Sequence, residues 1–443
     1  MTTTPATPSR QSTARTALAG IIGNVLEWFD FGVFGFFASE IGQNFFPDSS
    51  PSLQRLKSFL VFALGFGFRP IGSIVLGWVG DRLGRRALLT ISIAMMGAAT
   101  LALGLLPTYA QVGALAPVLL VVVRAVQGFS LGGEFTGSMV YTTELAHPRW
   151  RGVISSSTAA GTTIGFLLGS ASAWMVQSAL GKADSAAWGW RIPFIASILL
   201  CVIGWLLRHG IHETAVGEKA AAARAPLWES IVADWVPMVQ TFGIVAMTNA
   251  AYYLAFTFAL DRRKSAPGAD STAFQAATTL SLIVVLVCKP LGGWLSDHIG
   301  RRRLMLALNV VGMAVVYFAL RLMMTGSPRE FMAGQILIGV PAGLALGLQG
   351  AMVVEIFPLR TRVASMSLAY SITLALSGGV APAISTWLID IVGQPTAPAY
   401  YIMVYGLIGL ALMLPMRETN ARRLDLMDGT EDGVMTAEAR QVS

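Results

Sequence analysis

Long apolar stretches alternate with short charged or glycine-containing stretches along nearly the whole chain. About twelve of the apolar stretches have roughly 20 or more residues, enough for a helix rising 1.5 Å per residue to cross about 30 Å of hydrocarbon. The pattern therefore predicts twelve membrane-spanning helices. Their approximate ranges are 16–40, 54–79, 87–107, 112–143, 152–178, 188–208, 231–260, 272–296, 303–324, 330–354, 362–390 and 398–416.

One long polar interval, from His209 to Ser230, separates the predicted spans into two sets of six. We therefore predict an all-α membrane protein in which the twelve transmembrane helices form two pseudo-symmetric six-helix bundles. The predicted units are a cytoplasmic N-tail (1–16), an N-terminal bundle (17–208), a cytoplasmic linker (209–230), a C-terminal bundle (231–416) and a cytoplasmic C-tail (417–443).

Two charged patterns each occur twice, once in each half of the chain. The phrase GWVGDRLGRR at 77–86 recurs 216 residues later as GWLSDHIGRR. The pattern Glu144-x4-Arg149-x-Arg151 recurs 211 residues later as Glu355-x4-Arg360-x-Arg362. Two landmarks at nearly the same offset predict a duplication, with the halves related by an axis along the membrane normal.

Composition supports the membrane assignment, because 54% of the residues are hydrophobic and only 12% are charged. A soluble domain carries about 25% charged residues. The net charge of +7 does not indicate a nucleic-acid partner, since the basic residues gather in short loops, as orientation signals do. With both termini in the cytoplasm, the cytoplasmic segments hold 19 of the 31 Lys and Arg residues. The run Arg262-Arg263-Lys264 is an exception on the outer side, with a surface or gate role as its possible explanations.

Several kinds of chemistry lack their sequence signals. The four histidines lie in or beside loops without a ligand cluster, and both cysteines lie inside apolar runs. There is no Gly-x4-Gly-Lys-Ser/Thr loop of the kind that cradles nucleotide phosphates. We therefore expect neither an enzyme nor an ATP-driven pump, and no metal or cofactor.

Motifs in the first half resemble a known superfamily. The pattern Gly-x3-Asp-Arg-x-Gly-Arg-Arg at 77–86 resembles the signature loop of the major facilitator superfamily. Arg124-x2-Gln127-Gly128-x3-Gly132 resembles its second motif, which is associated with proton-coupled members. Phrases at 23–31, 68–72, 127–134 and 188–194 resemble the metabolite:proton symporter family. That family includes transporters of citrate, 2-oxoglutarate, shikimate and proline/glycine betaine, so the resemblance implies proton-coupled uptake of a small metabolite.

Charged residues inside the predicted spans are candidates for the proton-coupling site. A charge at the bilayer centre costs at least about 2.5–3.5 kcal/mol, so it is usually paired or lines a cavity. Glu27 and Asp30 share a face of the first span, and Arg124 lies near the middle of the fourth. We predict that Asp30 carries the proton, with Glu27 as the next candidate, and that Arg124 is the partner. The alternative is a static ion pair that holds the helices together.

Two further cations occupy corresponding spans of the two halves. Arg69 in the second span and Lys289 in the eighth are each followed by Pro-x-Gly. They are candidates for binding an anionic substrate, and the alternative is that each pairs with a carboxylate or snorkels to the interface. Lys289 is the stronger substrate candidate, whereas a structural role is favoured for Arg69. The remaining substrate candidates are Gln127, Asn249, Tyr252 and Tyr253; an aromatic belt is the alternative for the tyrosines.

The repeated phrase is predicted to form a conformational latch. The resemblance implies that Asp81 caps a helix N-terminus of the other bundle and that a loop arginine pairs with an acid in the fourth helix. Glu134 is the candidate acid. The second copy has His298 where the first has Arg82, which predicts a weaker latch there. The candidate latch residues are Gly77, Asp81, Arg85, Arg86, Glu134, Asp297 and Arg301. Positive-inside anchoring is the alternative for Arg85 and Arg86.

These features together predict a secondary transporter that works by alternating access as a monomer in the bacterial inner membrane. Its predicted partners are protons, the lipid bilayer and a small carboxylate substrate such as a di- or tricarboxylate. An osmolyte such as proline or glycine betaine is the alternative substrate. The resemblance implies that osmoregulated members often carry a long C-terminal extension with heptads, and the short C-tail here, without sustained heptads, disfavours that alternative. A membrane sensor that does not transport is less favoured, since such short tails leave no room for a signalling domain.

Overall fold

The computed structural model describes residues 10–47, 49–83, 85–132, 134–208, 227–359 and 361–420. Within its helices, the side chains of residues 10–21, 77, 78, 80–83, 85–89, 134, 145, 205, 207, 208 and 227 are not described. Over the described ranges the regular structure is helical, without any β-strand.

The first half supplies six membrane helices, three of which are each built from two segments. In order, they are Arg10–Phe36 with Ala38–Phe45, Pro51–Gly67 with Arg69–Leu83, Arg85–Leu105, Leu115–Ser130 with Glu134–Leu145, Arg151–Asp184, and Arg191–Arg208. The first helix begins at Arg10, inside the predicted N-tail. Short helical turns at Tyr109–Val112, Pro148–Trp150 and Ser185–Gly189 lie between the membrane helices.

The second half repeats this arrangement after a short helix, Leu227–Ala233. Its six membrane helices are Trp235–Lys264, Ser271–Ile299, Arg301–Thr325, Pro328–Ile356, Arg362–Val392 and Pro398–Met413. The seventh and eleventh helices each contain one wide π-helical turn, at Leu254–Phe258 and Ala375–Gly379. Such turns are frequent at functional sites.

The helices agree with the twelve predicted spans, and the predicted fold class is confirmed. Eight helices in the described ranges are long and apolar enough to cross a membrane. The apolar parts of three others are shorter, at Thr90–Leu105, Arg191–Gly204 and Pro398–Met413. Most of the predicted linker, 209–226, and most of the predicted C-tail, 421–443, lie outside the described residues.

Backbone-to-backbone packing recurs at equivalent places in the two halves. A Cβ atom on Gly128 of the fourth helix would lie 1.9 Å from the carbonyl oxygen of Gly65 in the second. A Cβ atom on Gly347 of the tenth helix would lie 1.9 Å from the carbonyl oxygen of Lys289 in the eighth. Only glycine permits either approach, because any side chain would overlap the opposing backbone. The tenth helix therefore packs directly on the backbone of the eighth helix at Lys289.

The fifth helix, Arg151–Asp184, carries much of the contact between the halves. It packs against the first helix of its own half and against the eighth and tenth helices of the other half. The second and eleventh helices also meet across the interface. Side chains that face inward from these helices therefore meet between the two halves.

Candidate functional site

A central cavity lies between the two halves, and both contribute to its wall. The first half supplies Trp28, Phe135, Met139, Ser155, Ala159, Thr162 and Phe166, and the second supplies Asn249, Tyr252, Lys289, Leu346, Gln349, Gly350 and Tyr370. Five of these residues are aromatic. A concave, mostly apolar wall with few polar groups is typical of a site for a small molecule.

Lys289 is the only cationic residue in the cavity wall that the structure describes. Its side chain is 1% exposed. The ammonium Nζ donates to the carbonyl oxygen of Ala159 at 2.6 Å and to Oγ1 of Thr162 at 2.9 Å. No described carboxylate lies within ion-pair distance of it. Both described hydrogen-bond acceptors of this amine are therefore neutral.

A polar group borders the cavity on the side of the second half. Oε1 of Gln349 accepts from the Tyr370 hydroxyl at 3.3 Å and from Nδ2 of Asn249 at 3.5 Å. Three residues that were predicted as substrate candidates therefore lie together in the cavity wall: Asn249, Tyr252 and Lys289. Gln349, Tyr370 and Thr162 were missed, although Gln349 is an amide inside an apolar run and carried a usable signal.

Asp30 lies in a buried cluster within the first half. Oδ2 of Asp30 accepts from Nη1 of Arg124 at 2.9 Å, and Oδ1 accepts from Nε2 of Gln127 at 2.7 Å and from Oγ1 of Thr100 at 3.0 Å. The guanidinium carbon of Arg124 lies 4.5 Å from the ring centre of Phe31. The pairing proposed from sequence is present, and Gln127 lies in this cluster instead of the cavity wall.

Glu27 pairs with Arg69 at 2.6 Å, one helical turn away from Asp30. Both side chains are buried, and the Arg69 guanidinium lies 5.9 Å from the ring centre of Trp28. Arg69 and Tyr253 do not line the cavity, and the ring of Trp28, which does line it, packs close to both. This pairing matches the structural alternative for Arg69.

The end of the molecule that carries both copies of the repeated phrase has a charge cluster across the interface, here called the repeat-end cluster. The Asp297 carboxylate accepts from the backbone N–H groups of Gly152 at 2.9 Å and Val153 at 3.2 Å, in the first turn of the fifth helix. Arg301 donates to Asp297 at 2.7 Å and pairs with Glu355 at 3.2 Å. A carboxylate at a helix N-terminus is favoured by the helix dipole and by the unpaired N–H groups.

The second repeated pattern is paired crosswise between the halves. Arg151 of the first half contacts Glu355 of the second at 3.3 Å. Arg362 of the second half contacts Glu144 of the first at 2.7 Å. Each half thus supplies the acid for the arginine of the other. The side chains of the first-copy candidates Asp81, Arg85, Arg86 and Glu134, and the surroundings of Gly77, lie outside the described residues.

The opposite end carries the far-end cluster, which is centred on Asp261. Its carboxylate accepts from the Ser39 N–H and hydroxyl, each at 2.9 Å, and from Nε of Arg55 at 2.7 Å. Nζ of Lys264 donates to the carbonyl oxygen of Phe36 at 2.7 Å. The two halves are therefore joined by polar contacts on both sides of the cavity.

The far-end cluster explains the basic run that departed from the orientation pattern. Lys264 satisfies a carbonyl at the end of the helix Arg10–Phe36. Arg263 donates to the carbonyl oxygens of Met324 at 3.0 Å and Gly326 at 2.8 Å, at the end of the ninth helix. Cations stabilise helix C-termini, where carbonyl groups lack intrahelical partners. These side chains therefore make tertiary contacts within and between the halves.

Comparisons with known proteins agree with this architecture. Residues 16–227 match the family described as "Sugar (and other) transporter", and residues 242–436 match "Major Facilitator Superfamily". The chain is 32% identical over 419 residues to the proline/betaine transporter of Escherichia coli (strain K12), covering 92% of this chain and 84% of that protein. It is 34% identical over 392 residues to the citrate-proton symporter of Klebsiella pneumoniae, covering 88% of each chain.

Solved structures show the same fold. The proton:xylose symporter XylE bound to 6-bromo-6-deoxy-D-glucose aligns with a TM-score of 0.70 at 17% identity, over 92% of this chain and 97% of that one. A partially occluded inward-open conformation of XylE from E. coli aligns with a TM-score of 0.70 at 18% identity, over 94% of this chain and 100% of that one.

Two helical bundles that share a central cavity, with interdomain contacts on both sides of it, define a multi-pass secondary transporter. The chain belongs to the major facilitator superfamily and, within it, to the metabolite:proton symporter family.

Proposed function

We propose that the protein couples inward proton movement to the uptake of a small carboxylate metabolite, as a monomer in the bacterial inner membrane with both termini in the cytoplasm. The observation that carries this proposal is Lys289. Its buried ammonium faces the cavity between the halves and has only neutral oxygens as described partners. A substrate carboxylate would supply the counter-charge that such a group lacks.

The proton site in this proposal is Asp30, with Glu27 as the next candidate. The arrangement that supports it is a carboxylate held by Arg124, Gln127 and Thr100 and enclosed within one bundle. Protonation would remove the charge of Asp30 and weaken its bond to Arg124, because the attraction between the carboxylate and the guanidinium is lost. A change in that bond would alter the packing of the first and fourth helices, and so favour one conformation of the carrier.

The two end clusters would act as alternating gates. With the termini in the cytoplasm, the repeat-end cluster faces the cytoplasm and the far-end cluster faces outward. Opening to either side requires the contacts of that side to break while those of the other persist. The simultaneous presence of both sets of contacts is what an occluded state requires, and it supports a gate role for Asp261 and Lys264.

A second candidate substrate is a zwitterionic osmolyte such as glycine betaine or proline. The aromatic wall favours it, since Trp28, Phe135, Phe166, Tyr252 and Tyr370 all border the cavity. Aromatic faces attract quaternary ammonium groups, and Lys289 would then bind the carboxylate of the same molecule. The relatives include transporters named for betaine and for citrate. The two candidate substrates differ in net charge, since the osmolytes are zwitterions and citrate is an anion.

The first prediction tests coupling and substrate class together. Purified protein in liposomes with an acidic exterior is expected to accumulate a carboxylate such as citrate or 2-oxoglutarate, and a protonophore is expected to abolish the accumulation. One pH unit corresponds to about 1.4 kcal/mol per proton, or a roughly tenfold accumulation when one proton is coupled. The measurement is uptake of radiolabelled citrate, 2-oxoglutarate, proline and glycine betaine in parallel.

Protein-free liposomes and a sodium gradient at constant pH are the controls. Accumulation that follows sodium and persists with the protonophore would contradict proton coupling. Accumulation of glycine betaine without any of the dicarboxylates or tricarboxylates would select the second candidate substrate.

The second prediction concerns the two proposed gates, the repeat-end cluster and the far-end cluster. A variant of each cluster is the matched control for a variant of the other. A cysteine replaces Met139 in the cavity wall, in a background that lacks the free thiols Cys201 and Cys288. Asp297→Asn is expected to raise labelling of this cysteine by an impermeant maleimide from the cytoplasmic side, and Asp261→Asn from the outer side. Each change removes charge-assisted hydrogen bonds, worth about 1.5–3 kcal/mol each, so a roughly tenfold increase is expected.

Labelling in whole cells and in inverted vesicles separates the two sides. The opposite sidedness of the two variants controls for a general loosening of the fold, which would raise labelling on both sides at once. The gate assignment is wrong if both variants increase labelling from the same side.

A further inference from the structure

The Lys289 side chain connects the two halves as well as facing the cavity. It extends from the eighth helix, in the second half, to Ala159 and Thr162 in the fifth helix, in the first half. The same Thr162 hydroxyl donates to the Ala159 carbonyl at 2.7 Å, so the three groups form one small network. A candidate substrate ligand therefore also serves as a bond across the interface that must move during transport.

The partners of Lys289 are weaker acceptors than a carboxylate. A buried ammonium without any partner is strongly unfavourable, so some acceptor is needed whenever the cavity holds no anion. A carbonyl and a hydroxyl meet that need, but an ionised acceptor forms a bond roughly twice as strong. Binding of a carboxylate therefore has a free-energy reason to displace Thr162 and Ala159 from Lys289.

We propose that the Thr162 hydroxyl and the Ala159 carbonyl are stand-in ligands for Lys289. They hold the two halves together when the carrier is empty, and they yield to the substrate carboxylate when it binds. Thr162 is then a positioning residue: it holds the Lys289 side chain in place while the empty carrier returns. This inference rests on the proposed uptake cycle with a carboxylate-bearing substrate.

In this cycle, loss of the Thr162 hydroxyl affects net uptake and substrate exchange differently. Net uptake requires the empty carrier to return through the occluded state, in which Lys289 needs its stand-in ligands. Exchange of internal for external substrate uses only the loaded carrier, in which the substrate satisfies Lys289. Loss of the Thr162 hydroxyl should therefore slow net uptake much more than it slows exchange.

The experiment compares net uptake with exchange in liposomes for Thr162→Val, using labelled citrate and glycine betaine as probes. The ratio of exchange to net uptake is expected to rise roughly tenfold, the effect of losing one hydrogen bond to a charged group. Because the ratio does not depend on the number of active molecules, a variant that folds less well still gives a valid result. Thr162→Ser, which keeps the hydroxyl, is expected to restore the original ratio.

Thr158→Val is the matched control. Thr158 lies about one turn earlier on the same helix, and its hydroxyl is paired with Thr142 of the same half at 3.1 Å. It does not contact Lys289, so the ratio of exchange to net uptake should stay unchanged. An equal loss of exchange and net uptake in Thr162→Val would overturn the proposal and indicate direct substrate contact.

A second measurement does not require transport. In the Met139→Cys background without substrate, Thr162→Val is expected to raise maleimide labelling roughly tenfold, since one bond across the interface is lost. Thr162→Ser and Thr158→Val should label like the parent. If the Met139→Cys protein transports neither citrate nor glycine betaine, both proposed substrates are wrong, but the labelling still tests the bond between Lys289 and Thr162. Equal labelling of Thr162→Val and the Met139→Cys parent would overturn the proposed role of that bond.

Discussion

Replacement of Asp30 by asparagine is expected to abolish proton-driven accumulation while exchange of substrate continues. Asparagine keeps the size and a hydrogen-bonding oxygen but carries no titratable proton. The internal-to-external ratio at one pH unit should fall from roughly ten to about one, because the gradient no longer contributes about 1.4 kcal/mol per proton. Uptake and exchange in liposomes with and without a pH gradient provide the measurement.

The variant leaves Arg124 buried without a charged partner. Breaking a buried pair on one side costs about 3–5 kcal/mol, so some loss of folded protein is expected as well. Persisting exchange shows that the remaining protein is folded. Glu27→Gln is the matched control, since Glu27 lies one turn away and pairs with Arg69. Full accumulation by Asp30→Asn together with its loss in Glu27→Gln would transfer the proton role to Glu27.

Replacement of Lys289 by glutamine is expected to weaken binding of a carboxylate substrate about a hundredfold. The substituted amide donates a hydrogen bond but offers no counter-charge, and loss of one partner from a buried ion pair costs about 3 kcal/mol or more. The half-saturation concentration in exchange should rise accordingly. Equilibrium binding of labelled substrate to purified protein gives the same quantity without transport.

Arg321→Gln is the matched control for the Lys289→Gln prediction. Arg321 is an exposed cation in the same half of the chain, and it does not line the cavity. Its loss should leave the half-saturation concentration unchanged. Unaltered carboxylate affinity in Lys289→Gln would remove Lys289 from the substrate site and with it the main support for the proposed substrate class.

The sequence was most informative where a charge interrupts an apolar run. Asp30, Arg124 and Lys289 were recognisable because a charge within hydrocarbon needs a partner or a cavity. The fold class followed from the apolar runs and the duplicated phrase, since both depend on local pattern. Of the second-copy residues, Asp297 contacts the backbone of the other half at Gly152 and Val153, whereas Arg301 contacts Asp297 and Glu355 of its own half. Their role as a latch stays a prediction.

Partners that are not charged could not be predicted in this way. Lys289 binds a backbone carbonyl and a hydroxyl of the fifth helix. Every residue carries a carbonyl, so tertiary placement alone selects these acceptors. Asp261 was also missed, because its partners Ser39 and Arg55 lie more than 200 positions away in the chain.

The crossed pairing of Glu144 with Arg362 and of Glu355 with Arg151 has the form of an isologous interface. In a two-fold symmetric dimer, residue i of one subunit contacts residue j of the other, and j contacts i in return. Here, one chain makes both contacts with the duplicated copies of a single acid–arginine pattern. Each half therefore presents the same acid–arginine pattern to the other, in the arrangement that two identical subunits use across a two-fold axis.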